Sequence, residues 1–370
     1  MPSSAALPLV NAHTHMRSAL NSLLNLADIM EGCGLEALVV ACTSATRPER
    51  LPTNALALLM KAMYRDRVYW FPGLHYAMPA AGYAAPPVVE QMAQAIALGA
   101  DGIKLIEGKP TARRELGLPL DGAHYEPIYA ACEAHGLPIL MHVADPEELW
   151  DWDALPEWAR QRKWFYGDGT FPTKEGLYAE VERILERHPR LKLILAHFYF
   201  LSGDMARAAA FLDRWPSACF DITPGGEMYE RFSAAPAAWR DFFTAYCERL
   251  LFGTDTSGGG ERPDPEGLAR AQRQVADIRR FLETDDTFDG LGRRMLHGLA
   301  LPPETLASIY AGNIRRLAGA APRPLALPAA LEALDGERAQ MNGADALREP
   351  GVVMGVVRER LARLEQGWAR

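Results

Sequence analysis

Short apolar runs recur along the chain, each ending in turn-like or polar residues: 8–15, 37–43, 68–75, 102–106, 137–143, 192–198, 218–223 and 250–254. Rich in Val, Ile and Leu, they predict eight parallel strands buried on both faces. Helical patterns such as 87–98, 125–134 and 177–187 lie between most of them. Strand–helix alternation repeated eight times predicts an α/β fold, the (β/α)8 TIM barrel. A doubly wound open sheet is the rival, but it needs a Gly-rich first turn, and Val10-Asn11-Ala12-His13 offers none. The longest step, after the fifth run, carries an insertion over 144–176. A helix over 303–317 closes the barrel, giving a domain over 1–319. The Ala- and Pro-rich stretch 320–328 reads as a linker, followed by helical patterns at 329–339 and 352–368. Residues 320–370 thus form a C-terminal helical extension.

Composition narrows the class. A chain of 370 residues with 49% hydrophobic and 23% charged residues buries a large core, which excludes intrinsic disorder. A net charge of -8 without a basic cluster argues against nucleic acid as a partner. The 5 cysteines are scattered, without a CxxC pair, as in a reduced cytoplasmic protein. No basic stretch precedes an apolar one at the start, so no secretory signal is read there. No run approaches ~18 apolar residues, so no membrane span is expected.

Barrel enzymes work at the C-terminal ends of their strands, so these ends carry the functional question. The first run ends Asn11-Ala12-His13-Thr14-His15, and period-two alternation points Asn11, His13 and His15 the same way. Two such imidazoles chelate a divalent ion; a chance pair in a loop is the competing reading. The fifth run ends at His142, the sixth at His197 and the eighth at Asp255, ahead of a Gly-rich loop. Four ends bearing His or Asp make coincidence a weak account. Lys104 sits in an otherwise apolar strand, which is costly unless it is paired, modified or bound to substrate. His75 ends the third run, where it could reach the pocket, and Arg17, just past the histidine pair, reads equally as holding a substrate carboxylate or as a surface residue. Glu107 and Lys109 read as surface charges, and His124, His135, His188 and His297 as solvated. Asp221 reads equally as an inward or a structural residue. The insertion holds Trp150, Trp152, Trp158 and Trp164, half of the 8 tryptophans. It reads either as a lid, with Trp150 on the substrate, or as a side cluster.

With these residues in place, the chain resembles the amidohydrolase superfamily, specifically its amidohydrolase-2 branch of metal-dependent hydrolases and aminocarboxymuconate semialdehyde decarboxylase-like proteins. The motifs carrying the resemblance are His13-Thr14-His15, Gly102-Ile103-Lys104-Leu105, the strand ending in His142, Ala196-His197, Gly253-Thr254-Asp255 and Ala311-Gly312-Asn313. It implies that His13, His15, His142 and Asp255 bind one divalent ion, Zn2+ or else Mn2+, with His197 catalytic. In some relatives the sixth-strand histidine is itself a ligand. Where the branch commonly carries Asp ahead of the pair, this chain has Asn11.

A divalent ion lowers the pKa of its water from ~15.7 towards ~7. Asp255 would then relay the proton to the leaving group, and His197 would steady the oxyanion. The expected reaction is hydrolysis of an amide, ester or lactone in a small organic substrate; the resemblance implies a homodimer. A decarboxylase of a small unsaturated acid is the nearest alternative, with Arg17 and Lys104 as its carboxylate-facing candidates. A two-metal variant bridged by a carboxylated Lys104, a metal-independent lactonase and a non-catalytic scaffold barrel complete the set.

Overall fold

The structure, a computed structural model, describes residues 7–225, 227–292, 294–341 and 345–367. The strands are β1 (Val10–His15), β2 (Ala37–Ala41), β3 (Val68–Phe71), β4 (Ile103–Gly108), β5 (Ile139–Val143) and β6 (Leu193–Leu195). β7 (Ala218–Asp221), β8 (Leu250–Leu251), β9 (Thr256–Ser257), β10 (Thr287–Gly290) and β11 (Arg294–His297) follow. The helices used below are α1 (Pro52–Met63), α2 (Val88–Leu98), α3 (Glu126–His135), α4 (Lys174–Arg187), α5 (Leu327–Gln340) and α6 (Arg348–Glu365).

All eight expected runs form strands, most of them shorter than the apolar pattern. The eighth is cut to β8, and β9 forms after the left-handed Asp255 (φ 57°) breaks the extended backbone. The sixth stops at Leu195 because residues 197–200 also turn left-handed. α2 and α3 end where Gly99 and Gly136 take up positive φ, a conformation other residues reach at a cost. The Thr173 hydroxyl caps α4 through the Gly176 N–H at 3.0 Å. The expected helix over 303–317 is interrupted by a π-helical turn at Ser308–Gly312. The expected end of the last helix at Trp368 lies outside the described residues.

The chain forms two compact units. The first takes Met1–Lys104, Phe252–Ala276 and Tyr310–Arg370; the second takes Leu105–Leu251 and Asp277–Ile309. The first contains a parallel sheet in the order β3-β2-β1-β9. α1 is buried nearly all round, because α6 packs on it. α5 lies against α2 and α6.

The other sheet runs β4-β5-β6-β7-β8. Its unit also contains the antiparallel β10–β11 pair, which the apolar pattern did not announce. The aromatic insertion builds a small core of its own from Leu149, Leu155, Ala159, Tyr166 and Phe171, with Trp150, Trp164 and Phe165 packed against it. No helix among the described residues is long and apolar enough to cross a membrane.

Candidate active site

In the first unit the chemistry gathers at the end of β1. The register between β1 and β2 shifts between Asn11 and Thr14, an irregularity that re-aims the side chains which follow. Asn11 therefore does not join the histidines as simple alternation predicts. Its amide donates to the Thr254 hydroxyl at 2.7 Å, and its carbonyl oxygen accepts the His13 and Thr254 N–H groups at 3.2 Å. It clasps β1 to the segment that carries Asp255. A carboxylate would repeat the accepting half of this clasp and lose the donating half.

The His13 and His15 Nε2 atoms stand 3.1 Å apart, and Asp255 Oδ1 lies 2.9 Å from His15 Nε2 and 3.8 Å from His13 Nε2. His15 Nδ1 faces the Ala41 carbonyl oxygen at 2.7 Å. A carbonyl only accepts, so Nδ1 carries the proton and Nε2 presents its lone pair to the cluster. That lone pair and a carboxylate oxygen at 2.9 Å repel unless a cation or proton lies between them. Three ligand atoms within 4.8 Å of one another thus fit a divalent ion, and the donor set of two imidazoles and one carboxylate suits zinc or manganese.

Asp255 is fixed by its backbone, whose N–H donates to the His13 carbonyl oxygen at 2.9 Å. Its left-handed φ is one that Asp tolerates better than most residues. The side chain is 43% exposed, so the cluster has an open face. Lys104, 1% exposed, brings Nζ to 3.2 Å from His13 Nε2.

The second unit carries its own cluster. His142 Nε2 lies 3.3 Å from Asp145 Oδ1, and Lys109 Nζ reaches both Asp145 oxygens at 2.7 Å. The Tyr166 hydroxyl donates to Asp145 Oδ2 at 2.8 Å. Burial, aided by the Lys109 charge, pulls His142 down to about 3, so its ring is the neutral form that binds metals. Burial would raise Asp145, but Lys109 and His142 outweigh it and hold the carboxyl below its usual range. His197 lies 5.0 Å from His142 between ring centroids, with the Phe200 ring against both. Its N–H donates to Asp221 Oδ1 at 2.8 Å, and Nδ1 faces the Thr223 carbonyl oxygen at 3.2 Å. Asp221 therefore anchors the turn that carries His197.

Other candidates lie elsewhere in their units. His75 lines a separate cavity with Tyr83 and Glu337, and neither His13, His15 nor Asp255 lines it. Arg17 is exposed, its stem beside Gly259. Trp150 donates its indole N–H to the Pro172 carbonyl at 3.1 Å and packs on Tyr166, against the insertion's core. Three readings are corrected. Glu107 is fully buried, Lys109 is the partner of buried Asp145, and His188 is buried against Glu126 at 2.8 Å rather than solvated. Asp145 and Tyr166 were missed. The only hint was an acid three residues beyond a strand-end histidine.

The family model described as Amidohydrolase matches residues 45–319. The matched span takes in Lys104, His142, His197 and Asp255; the His13 and His15 pair lies ahead of it. No curated protein matches significantly. Among solved structures, an uncharacterized TIM-barrel protein from Bordetella bronchiseptica is similar with a TM-score of 0.51 and 14% identity, over 84% of this chain and 98% of that one. An amidohydrolase II structure gives 0.50 and 16%, over 84% and 99%. The fold class is accordingly the (β/α)8 barrel. With most of its length matched, the chain belongs to the amidohydrolase family and is an enzyme of that superfamily.

Proposed function

We propose that this enzyme is a metal-dependent hydrolase that directs water onto an amide, ester or lactone bond of a small organic substrate. The observation that carries the reading is the convergence of His13, His15 and Asp255 on one point with an open face. A divalent ion, zinc or manganese, supplies Lewis acidity and acidifies water when bound there. His13 and His15 would hold it as neutral rings, and the Ala41 carbonyl fixes the His15 tautomer. Asp255 takes the proton of the attacking water and returns it to the leaving group. Lys104 offers a cation beside His13 for a substrate oxygen. We read His142, near the C-terminal end of its strand as His15 is, as a further ligand, and His197 as the residue that polarises the substrate.

The 3.2 Å approach of Lys104 to His13 also favours a second reading, in which a carboxylated Lys104 bridges two ions. Elemental analysis of protein purified without chelator separates them: one ion per chain under the first reading, two under the second. His15→Ala and Asp255→Asn are expected to lower metal content, and His142→Ala to weaken it. Asp255→Asn should also cost about 10²–10⁴-fold in kcat/KM on any hydrolysed substrate. Carbon dioxide release without ester, lactone or amide cleavage would replace hydrolysis by decarboxylation. A chain with no ion that neither zinc nor manganese stabilises or activates would refute the metal mechanism.

A further inference from the structure

The first unit contains a cavity of about 290 Å³ between α1, α2, the segment after β3 and α5. At about 30 Å³ per water-sized group, it has room for roughly ten non-hydrogen atoms. Its inner wall is apolar, formed by Leu58, Trp70, Met92, Ala95 and Leu98. Its polar end is formed by His75, Tyr83 and Glu337, the last contributed by α5 of the C-terminal extension.

The hydrogen bonds at that end define what is missing. The Gly73 N–H donates to Asn54 Oδ1 at 3.1 Å, and Asn54 Nδ2 donates to the Gly73 carbonyl at 2.9 Å, which fixes the amide's orientation. Asn54 Nδ2 then also donates to His75 Nε2 at 3.2 Å, so the ring's proton sits on Nδ1. Nδ1 meets the Tyr83 hydroxyl at 3.2 Å in good geometry, and that contact uses its single hydrogen. Glu337 Oε1 is only 3.1 Å from Nδ1, yet it is buried without a hydrogen-bond donor among the described residues. Burial, with the Glu337 carboxylate nearby, pushes the Tyr83 phenol above its usual range, so Tyr83 brings no negative charge.

We propose that this cavity is a second binding site, for a small amine whose ammonium group meets Glu337 and whose apolar body lies against Trp70 and Met92. Glu332 also lines it, and no Lys or Arg does so among the described residues, so the charge favours a cation. A bare metal ion does not fit, because no group of three metal-competent ligands gathers here among the described residues. An ammonium needs only one charge-assisted hydrogen bond from Glu337, and the apolar wall accounts for the rest of the ligand.

The experiment titrates 2-phenylethylamine, 2-phenylethanol and 3-phenylpropionate into the full chain by calorimetry. The amine is expected to bind with a Kd below about 1 mM, with the alcohol about tenfold weaker and the acid weaker still. Glu337→Gln should reduce the amine to the alcohol's affinity without moving the melting temperature by more than a few degrees. Ala333→Trp, on the cavity wall, should abolish binding of both. Absence of amine binding up to about 10 mM, equal affinity for all three probes, or amine binding unchanged in both variants overturns the proposal.

Discussion

Residues 197–200 take four consecutive left-handed conformations, with φ between 51° and 56°. Each costs an L-residue roughly 1–2 kcal/mol, so the surroundings must enforce the turn. Asp221 supplies one anchor by accepting the His197 and Thr223 N–H groups from a single oxygen. Gly225 supplies the space: a Cβ there would lie 2.9 Å from His197 Cβ and 3.1 Å from its Nδ1. Gly225→Ala is therefore expected to displace the imidazole. If His197 is catalytic, kcat should fall at least about tenfold while thermal stability drops by only about 1–3 kcal/mol, an ordinary overpacking cost. Unchanged kcat with the lower stability would leave His197 a structural residue. The histidine itself was legible in the sequence, because an apolar run stops at it. The turn was not, because nothing in Ala196-His197-Phe198-Tyr199 prefers a left-handed backbone; the tertiary anchors impose it.

At the scale of elements, the insertion after β5 reaches back to the strand end through side chains. Tyr166, in its aromatic core, bonds Asp145, and Lys109 pairs with Asp145 while lying 4.4 Å from the Trp164 ring centre. The insertion thus braces the carboxylate that faces His142. Lys109→Met would leave Asp145 buried with its main countercharge gone, at a cost of about 3–5 kcal/mol in urea unfolding. Adding Asp145→Asn should restore part of that loss, because no uncompensated charge remains. A double variant no better than the single one would show that Lys109 acts through packing on Trp164 instead. The strands were readable because parallel strands are continuous apolar runs. Which charges lie inside was not, since Lys109 looks like any loop charge until the fold brings Asp145 to it, and nothing around Glu107 announces its burial. The β10–β11 pair escaped for the opposite reason: its strands alternate too briefly to stand out.

Across the molecule, the extension that sequence separates from the family match at residue 319 is integral to the first unit. Asp101, ahead of β4, accepts an ion pair from Lys61 of α1, the Trp70 N–H at 2.7 Å and the Arg323 N–H at 2.6 Å. One carboxylate therefore ties a helix, a strand and the linker. Beyond it, Gly99 lies so close to the linker that a Cβ there would meet the Pro324 carbonyl oxygen at 2.1 Å. α6 then buries Met354, Val357 and Leu361 completely, and α1 has ten of its residues buried. An amphipathic barrel helix needs one apolar face; this one is apolar on two because α6 covers the outer one. Leu361→Ala should consequently behave as a core substitution and cost about 2–5 kcal/mol in urea unfolding. If the extension were an appendage that folds by itself, Leu361→Ala would give a separate early transition and leave the main one unmoved. A single transition shifted to lower urea, with the slope retained, is the outcome that the packing of α6 on α1 requires.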